Sequence, residues 1–243
     1  MNIFNLLNEI SSIVWGPVTL SLLLGVGIYL TFGLKAFPIT NIIYGIRSLF
    51  KKDEKQSDGD ISSFQSLMTA LSATVGTGNI AGVATAIFLG GPGAIFWMWI
   101  TALFGMATKY CEAFLAIYFR EYNSKNNIVG GPMYYIKNGL NSNFHFLAYF
   151  FAIFGMFAAF GIGNGVQVNS VAQVVSVEFG ISPSYVGFIT AALVALVILG
   201  GIKSIGNIAS KLVPLMSLFY VLGGLIIIFS NYNLIPYIFN LII

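Results

Sequence analysis

The chain has 243 residues, of which 57% are hydrophobic and only 8% are charged, and its mean hydropathy is +0.87. A soluble domain carries about 25% charged residues, so this composition excludes a water-soluble protein and predicts an all-α integral membrane protein. The net charge of +3 gives no indication of a nucleic-acid partner, and the single cysteine, Cys111, excludes an intramolecular disulfide bond.

Six apolar segments are long enough, or nearly so, to cross a hydrocarbon core of roughly 30 Å, which needs about 20 helical residues. They are residues 12–33, 66–89, 93–119, 144–170, 184–201 and 213–229. We therefore predict about six transmembrane helices in four regions. These are an N-terminal helix at 1–34, a polar cytoplasmic loop at 35–63, five helices at 64–230 and a short extracytoplasmic apolar tail at 231–243, whose abrupt end predicts a truncation point.

The placement of the basic residues predicts the orientation of these spans. With six spans, the N-terminus and the segments after the second, fourth and sixth lie on one side, and they contain no lysine or arginine. All eleven basic residues lie on the other side or at its border, namely Lys35, Arg47, Lys51, Lys52, Lys55, Lys109, Arg120, Lys125, Lys137, Lys203 and Lys211. Because cytoplasmic segments are enriched in such residues, we predict a multi-pass protein of the cell (inner or plasma) membrane with its N-terminus outside.

The second span, TALSATVGTGNIAGVATAIFLGG at residues 69–91, is uncharged and has a centre that disfavours a helix. Gly76 and Gly78 flank a threonine, and each glycine costs a helix interior about 1 kcal/mol relative to alanine. We therefore predict a break at residues 74–79. Inside a membrane, such backbone is tolerated only where protein or a wet cavity satisfies its polar groups, so the break indicates a binding site.

The two ends that such a break creates have opposite polarity. The second half-helix would begin at Thr77, Gly78 or Asn79, and its free amides and positive dipole end would bind a carboxylate. The first half-helix would end near Ala73 or Thr74, where unpaired carbonyls would ligate a small cation such as sodium.

The fourth span supplies a second polar region, GIGNGVQVNSVAQ at residues 161–173. On a regular helix Asn164 and Gln167 share one face, and Asn169 and Gln173 share another. Four amides in so short a stretch are too many for a lipid-facing surface, so we expect them to line a cavity or to bond to neighbouring helices.

Close helix packing is an alternative explanation for these glycines. Gly78-x-x-x-Gly82 is a small-x-x-x-small pattern that lets two membrane helices approach. Gly161, Gly163 and Gly165 would admit a crowded neighbour in the same way. The spacing leaves both explanations open.

The remaining polar residues give no enzymatic arrangement. His145 has no Cys, Asp or Glu at ligand spacing. Lys109 and Glu112 lie three residues apart, a spacing that anchors or neutralises a helix end and leaves a coupling role open. No acid lies in the middle of a span to relay protons. We therefore predict that the chain is not an enzyme.

The stretch SATVGTGNIAGVATAIFLGGPGAIFWMWITALFGMATKYCEAFLAIYFR, residues 72–120, resembles the signature region of the alanine or glycine:cation symporters. These are prokaryotic sodium-coupled amino-acid carriers. The agreement extends to WGP at 15–17, GGPMYYI at 130–136 and GNGVQVNSVAQ at 163–173.

The resemblance implies a fold of two five-helix inverted repeats preceded by one extra helix. Spans two to six would form the first repeat, and the second repeat is absent because such carriers are about twice as long. The implied substrate is alanine or glycine, sodium is the coupling ion and no other cofactor is expected. The implied substrate-binding residues are Gly76, Thr77, Gly78 and Asn79, together with Asn164 and Gln167.

Half of such a fold would hold half a site, so the resemblance implies that this chain does not transport alone. One alternative is a split carrier in which a second polypeptide supplies the missing repeat. Another is a non-transporting structural or regulatory membrane protein, or a degraded gene product. The sequence does not separate alanine from glycine, or sodium from proton coupling.

Overall fold

The computed structural model describes residues 3–50, 59–124 and 126–243, and most of these residues are helical. Four lysines that contribute to the predicted orientation, Lys51, Lys52, Lys55 and Lys125, lie outside the described residues.

The first half of the chain begins with a series of helices that ends at a short hairpin. The helices are α1 (Ile3–Val14), α2 (Pro17–Gly33), α3 (Phe37–Thr40), α4 (Ile42–Leu49), α5 (Ser63–Thr74), a π-helical turn (Gly78–Gly82), α6 (Val83–Gly90) and α7 (Ala94–Tyr118). Antiparallel strands β1 (Glu121–Tyr122) and β2 (Ile128–Val129) follow.

The second half is helical throughout the elements described. These are α8 (Pro132–Gly139), a 3₁₀ turn (Ser142–Phe144), α9 (Phe146–Phe160), a second π-helical turn (Gly161–Gly165), α10 (Val166–Phe179), α11 (Pro183–Ile198), α12 (Gly201–Ser230), a 3₁₀ turn (Tyr232–Leu234) and α13 (Ile235–Ile242). The apolar tail is thus partly helical, and α13 is too short to cross a bilayer.

Within the described residues, four helical stretches are long and apolar enough to cross a membrane. They are Ile3–Gly33, Ala94–Tyr118, Ser142–Phe179 and Gly201–Ser230. A fifth is obtained if the bent pair Ser63–Thr74 and Gly78–Gly90 counts as one span, and the apolar helix Pro183–Ile198 is shorter. The all-α membrane class is confirmed at this level, with four or five clear spans where the sequence predicts about six.

The chain divides into two compact units, of which the first comprises Met1–Arg47 and Phe96–Ala148. In this unit α2 packs closely on α7 at Gly27, where a Cβ atom would lie 3.1 Å from the Phe104 carbonyl oxygen. Beyond α7, the Asn138 side chain of α8 donates to Glu121 Oε1 over 2.6 Å and to the Phe119 carbonyl over 3.3 Å. These bonds fix α8 to the end of α7.

The second unit comprises Ser48–Ile95 and Tyr149–Ile243, and it contains the broken second span. Its core is the packing of α5 on α12, in which Met68 is buried with Ala209 and Val213. At the start of α5, Ser62 Oγ accepts from the Gln65 amide over 3.2 Å and Gln65 Oε1 accepts from the Ser62 amide over 3.0 Å. This reciprocal capping box fixes the first turn of α5.

Large apolar side chains cover most of the described surface, and few are buried within the chain. A water-soluble protein rarely exposes apolar patches of this extent. The surface is that of a protein whose helices contact lipid or further protein.

Candidate functional site

The second span is broken where the sequence predicts it. Helix α5 ends at Thr74, the backbone of Val75 is extended at φ −87° and ψ 111°, and the π-helical turn begins at Gly78. The two halves are bent by 55°. After α6, Gly91 turns the chain at φ 75°, and α7 begins three residues later at Ala94.

The first half ends in carbonyl groups that have no described hydrogen-bond donor. The last regular bonds run from the Val75 amide to the Leu71 carbonyl over 2.8 Å and from Thr74 Oγ1 to the Ala70 carbonyl over 2.8 Å. Among the described residues nothing donates to the carbonyls of Ala73 and Thr74. The predicted cation ligands are therefore uncharged oxygens at the negative end of a helix.

Around the start of the second half, the amides of Gly76, Thr77 and Asn79 are already bonded. The Gly76 amide donates to Asn79 Oδ1 over 3.1 Å, and the Asn79 amide donates back to the Gly76 carbonyl over 3.1 Å. The Thr77 amide donates to Gln167 Oε1 over 3.1 Å. Within the described chain the Gly78 amide has no acceptor, so Gly78 presents the donor that remains open to a ligand.

Gln167 joins the break to α10 although 90 residues separate it from Thr77. A Cβ atom on Gly76 would lie 2.9 Å from Gln167 Oε1, closer than such atoms pack. Glycine at position 76 therefore gives the Gln167 side chain the room it needs to reach the Thr77 amide.

Asn164 takes a different direction from Gln167. It lines a groove of ≈ 760 Å³ between α10 and α11 together with Asn169, Ser184 and Thr190. The structure thus brings Gln167 to the break and places Asn164 in the groove, where a regular helix would have put both on one face.

The π-helical turn explains this separation. It spans Gly161–Gly165, and the Val166 amide donates to the Gly161 carbonyl five residues earlier. A turn of this kind is wider than an α-helical turn. Asn164 lies within this turn and Gln167 lies beyond it in α10, while Asn164 and Asn169 both line the groove. The three glycines in GIGNG are the feature of the sequence that indicates this π-helical turn.

Three of the glycines for which close helix packing was an alternative explanation do not pack against a neighbouring helix of the described chain. A Cβ atom on Gly78, Gly82 or Gly161 would meet nothing within 4 Å. Next to the break, Ser72 and Val75 border an apolar cavity of ≈ 510 Å³ whose far wall belongs to α12 and includes Val213 and Met216. The described chain thus leaves open space at Gly78 and Gly82, whereas Gln167 of α10 contacts Gly76.

Comparison with known proteins decides the family. The model of the sodium:alanine symporter family matches residues 1–243. The chain belongs to the sodium:alanine symporter family. This is a family of transporters, which confirms both the resemblance seen in the sequence and the prediction that the chain is not an enzyme.

Several curated members of this family are similar to the chain over nearly its whole length. The sodium/alanine symporter AgcS of Methanococcus maripaludis is 54% identical over 95% of this chain, and an uncharacterized transporter of Haemophilus influenzae is 48% identical over 97%. The probable sodium/glutamine symporter GlnT of Bacillus subtilis is 37% identical over 96%. The matches cover 52%, 51% and 48% of those proteins, so the chain spans about half the length of these relatives.

Lys109 and Glu112 of α7 form a charged pair in the first unit. Lys109 Nζ and Glu112 Oε2 are 3.1 Å apart, and both side chains are largely exposed. Burial raises the pKa of Tyr135 on α8, the Glu112 carboxylate raises it further and Lys109 opposes the change. Both charged groups therefore lie within electrostatic range of Tyr135, in the last ten residues of α7.

Proposed function

We propose that the chain is the N-terminal half of a sodium-coupled alanine or glycine symporter and that the broken second span forms one wall of its substrate site. In this proposal spans two to six are the first repeat of an inverted-repeat carrier. The observation that carries it is the uncharged break, which presents carbonyl oxygens and an open amide in a span with no charged residue.

The substrate carboxylate is proposed to bind the Gly78 amide at the positive end of the second half-helix. The bonds of Gly76 to Asn79 and of Thr77 to Gln167 support this role because they hold the turn in place. Thr77, Asn79 and Gln167 complete this wall, and Asn164 is the more distant contributor because it lines the groove toward α11.

Sodium is proposed to bind the carbonyls of Ala73 and Thr74. A hard cation prefers oxygen ligands and needs several of them. Two carbonyls are too few, so further ligands must come from elsewhere. An inverted-repeat carrier builds its midplane site from both repeats, which is why we expect no transport by this chain alone.

Uptake into proteoliposomes tests this proposal. The chain alone is compared with a fusion in which it precedes the part of AgcS from Methanococcus maripaludis that it does not match. We expect sodium-gradient-driven uptake of labelled alanine or glycine by the fusion and none by the chain alone. Uptake by the chain alone would contradict the half-site account, and a folded fusion that binds neither amino acid would contradict the substrate assignment.

A split carrier is the second candidate, and it is compatible with a chain that spans about half the length of several relatives. Here the chain is a subunit, and a separate polypeptide supplies the remaining helices. Co-expression of the two halves as separate polypeptides tests this directly. We expect them to copurify and to restore uptake. Failure to associate, together with stable expression of this chain alone, would favour a non-transporting membrane protein.

A further inference from the structure

The described part of the predicted loop at 35–63 contains two short helices, α3 and α4. The chain leaves α2 through Lys35 and Ala36, which are both left-handed, at φ 51° and 56°. Non-glycine residues adopt this conformation uncommonly, and Pro38 follows two residues after Ala36. The chain therefore turns sharply at the end of the span and then forms α3 and α4.

Helix α3 is held at the end of this span by an aromatic contact in the first unit. The Phe37 ring lies 5.6 Å from the ring of Tyr110 on α7, measured between centroids. Residue 37 is only four residues beyond the end of α2, so α3 lies at the level where this span leaves the hydrocarbon core. Aromatic rings are enriched at that level.

Helix α4 has one apolar face that the described chain covers only in part. Successive residues of a helix turn by about 100°, so Ile42 and Ile46 share a face and Tyr44 lies opposite them. Ile42 is 45% exposed and Ile46 is 52% exposed. Arg47 lies on the border of the polar face. Such a helix suits a boundary between an apolar and a polar phase.

The positive charge of residues 35–47 favours an anionic partner. From Lys35 to Arg47 the sequence contains two cations and no acidic residue. Each cation that lies directly beyond a transmembrane span is attracted to anionic lipid headgroups at the membrane surface. Residues 35–49 are covalently linked to α2, so they stay at the membrane surface. Lipid headgroups are therefore always available there as a binding partner.

We propose that residues 35–49 form an in-plane element that inserts Ile42 and Ile46 among the lipid acyl chains and binds anionic phospholipid headgroups through Lys35 and Arg47. This inference concerns the membrane surface and does not depend on the substrate site.

Spin labels on opposite faces of α4 test the proposal in the full chain reconstituted into vesicles. In a Cys111→Ser background, single cysteines replace Ile46 or Tyr44. The vesicles contain phosphatidylcholine with or without phosphatidylglycerol. We expect the label at 46 to be accessible to oxygen and shielded from a water-soluble nickel chelate, and the label at 44 to show the reverse. Phosphatidylglycerol should move the label at 46 deeper.

Charge variants test the lipid contact. Replacing both cations, Lys35→Gln with Arg47→Gln, should abolish the phosphatidylglycerol-dependent shift, whereas Lys211→Gln should retain it. High salt should reduce the shift in the unsubstituted protein, which covers the case that the double variant does not fold. Equal access of the nickel chelate to both labels, shielding of position 46 from both reagents, or a shift that survives charge removal and high salt would each overturn the proposal.

Discussion

At the scale of single residues, the bond between Thr77 and Gln167 depends on the absence of a side chain at Gly76. Gly76→Ala would place a methyl group 2.9 Å from Gln167 Oε1 and displace that side chain. We expect Gly76→Ala to lower the free energy of unfolding by about 0.5–1.5 kcal/mol, the range for one net hydrogen bond. The measurement is thermal unfolding in detergent.

A double-mutant cycle separates this effect from a general change in helix propensity. In a Gln167→Ala background the hydrogen bond is already lost, so Gly76→Ala should cost less there than in the native sequence. Equal costs in both backgrounds would show that Gly76 does not act through Gln167.

The residue scale also shows how far the sequence predicts the site. Composition alone places polar, glycine-rich residues at 74–79, and the structure has the break there. Pairing Asn164 with Gln167 assumes a regular helix of 3.6 residues per turn, and the π-helical turn changes that period. The contact from Thr77 to Gln167 spans 90 residues, so no local pattern predicts it.

At the scale of helices, the packing of α5 on α12 fixes the first half of the broken span. A Cβ atom on Gly206 would lie 3.2 Å from Ile61 Cγ2 and 3.5 Å from Gln65 Cβ. Gly206→Val should separate the two helices and lower the free energy of unfolding by about 1–3 kcal/mol, the usual cost of overpacking. Thermal unfolding in detergent measures this loss.

Gly223→Val is the matched control because it lies in the same helix, where a Cβ atom would meet nothing within 4 Å of the described chain. It should leave the unfolding temperature close to that of the native sequence. A similar loss for both variants would indicate that valine disfavours α12 itself and that α5 does not depend on Gly206.

The helices also show which elements the hydropathy of the sequence can predict. Long apolar helices are found at most of the predicted spans because about 20 apolar residues give a strong signal. Helices α3 and α4 fall in a segment that the sequence assigns to a loop, because they are short and lie close to charged residues. Helix α11 has only 16 residues, so it is too short to be identified as a span by length and composition. That α11 crosses the membrane therefore stays a prediction.

At the scale of the whole molecule, the charge distribution predicts an N-terminus outside the cell. In a Cys111→Ser background, a cysteine at Glu9 should react with a membrane-impermeant thiol reagent on intact cells, because no basic residue retains that segment in the cytoplasm. A cysteine at Asn141, next to Lys137, should react only after the cells are opened. The opposite pattern would contradict the predicted orientation.

The central claim is that the open amide at Gly78 binds the substrate carboxylate, and equilibrium binding of labelled alanine to the AgcS fusion tests it most directly. Gly78→Leu fills the open space beside that amide, and Gly82→Leu makes the same change one turn later, where the space is also open. We predict that Gly78→Leu weakens binding by about tenfold to a hundredfold, the worth of one hydrogen bond to a charged group, and that Gly82→Leu leaves it within a few-fold. Unchanged binding by Gly78→Leu, or an equal loss in both variants, would contradict the claim.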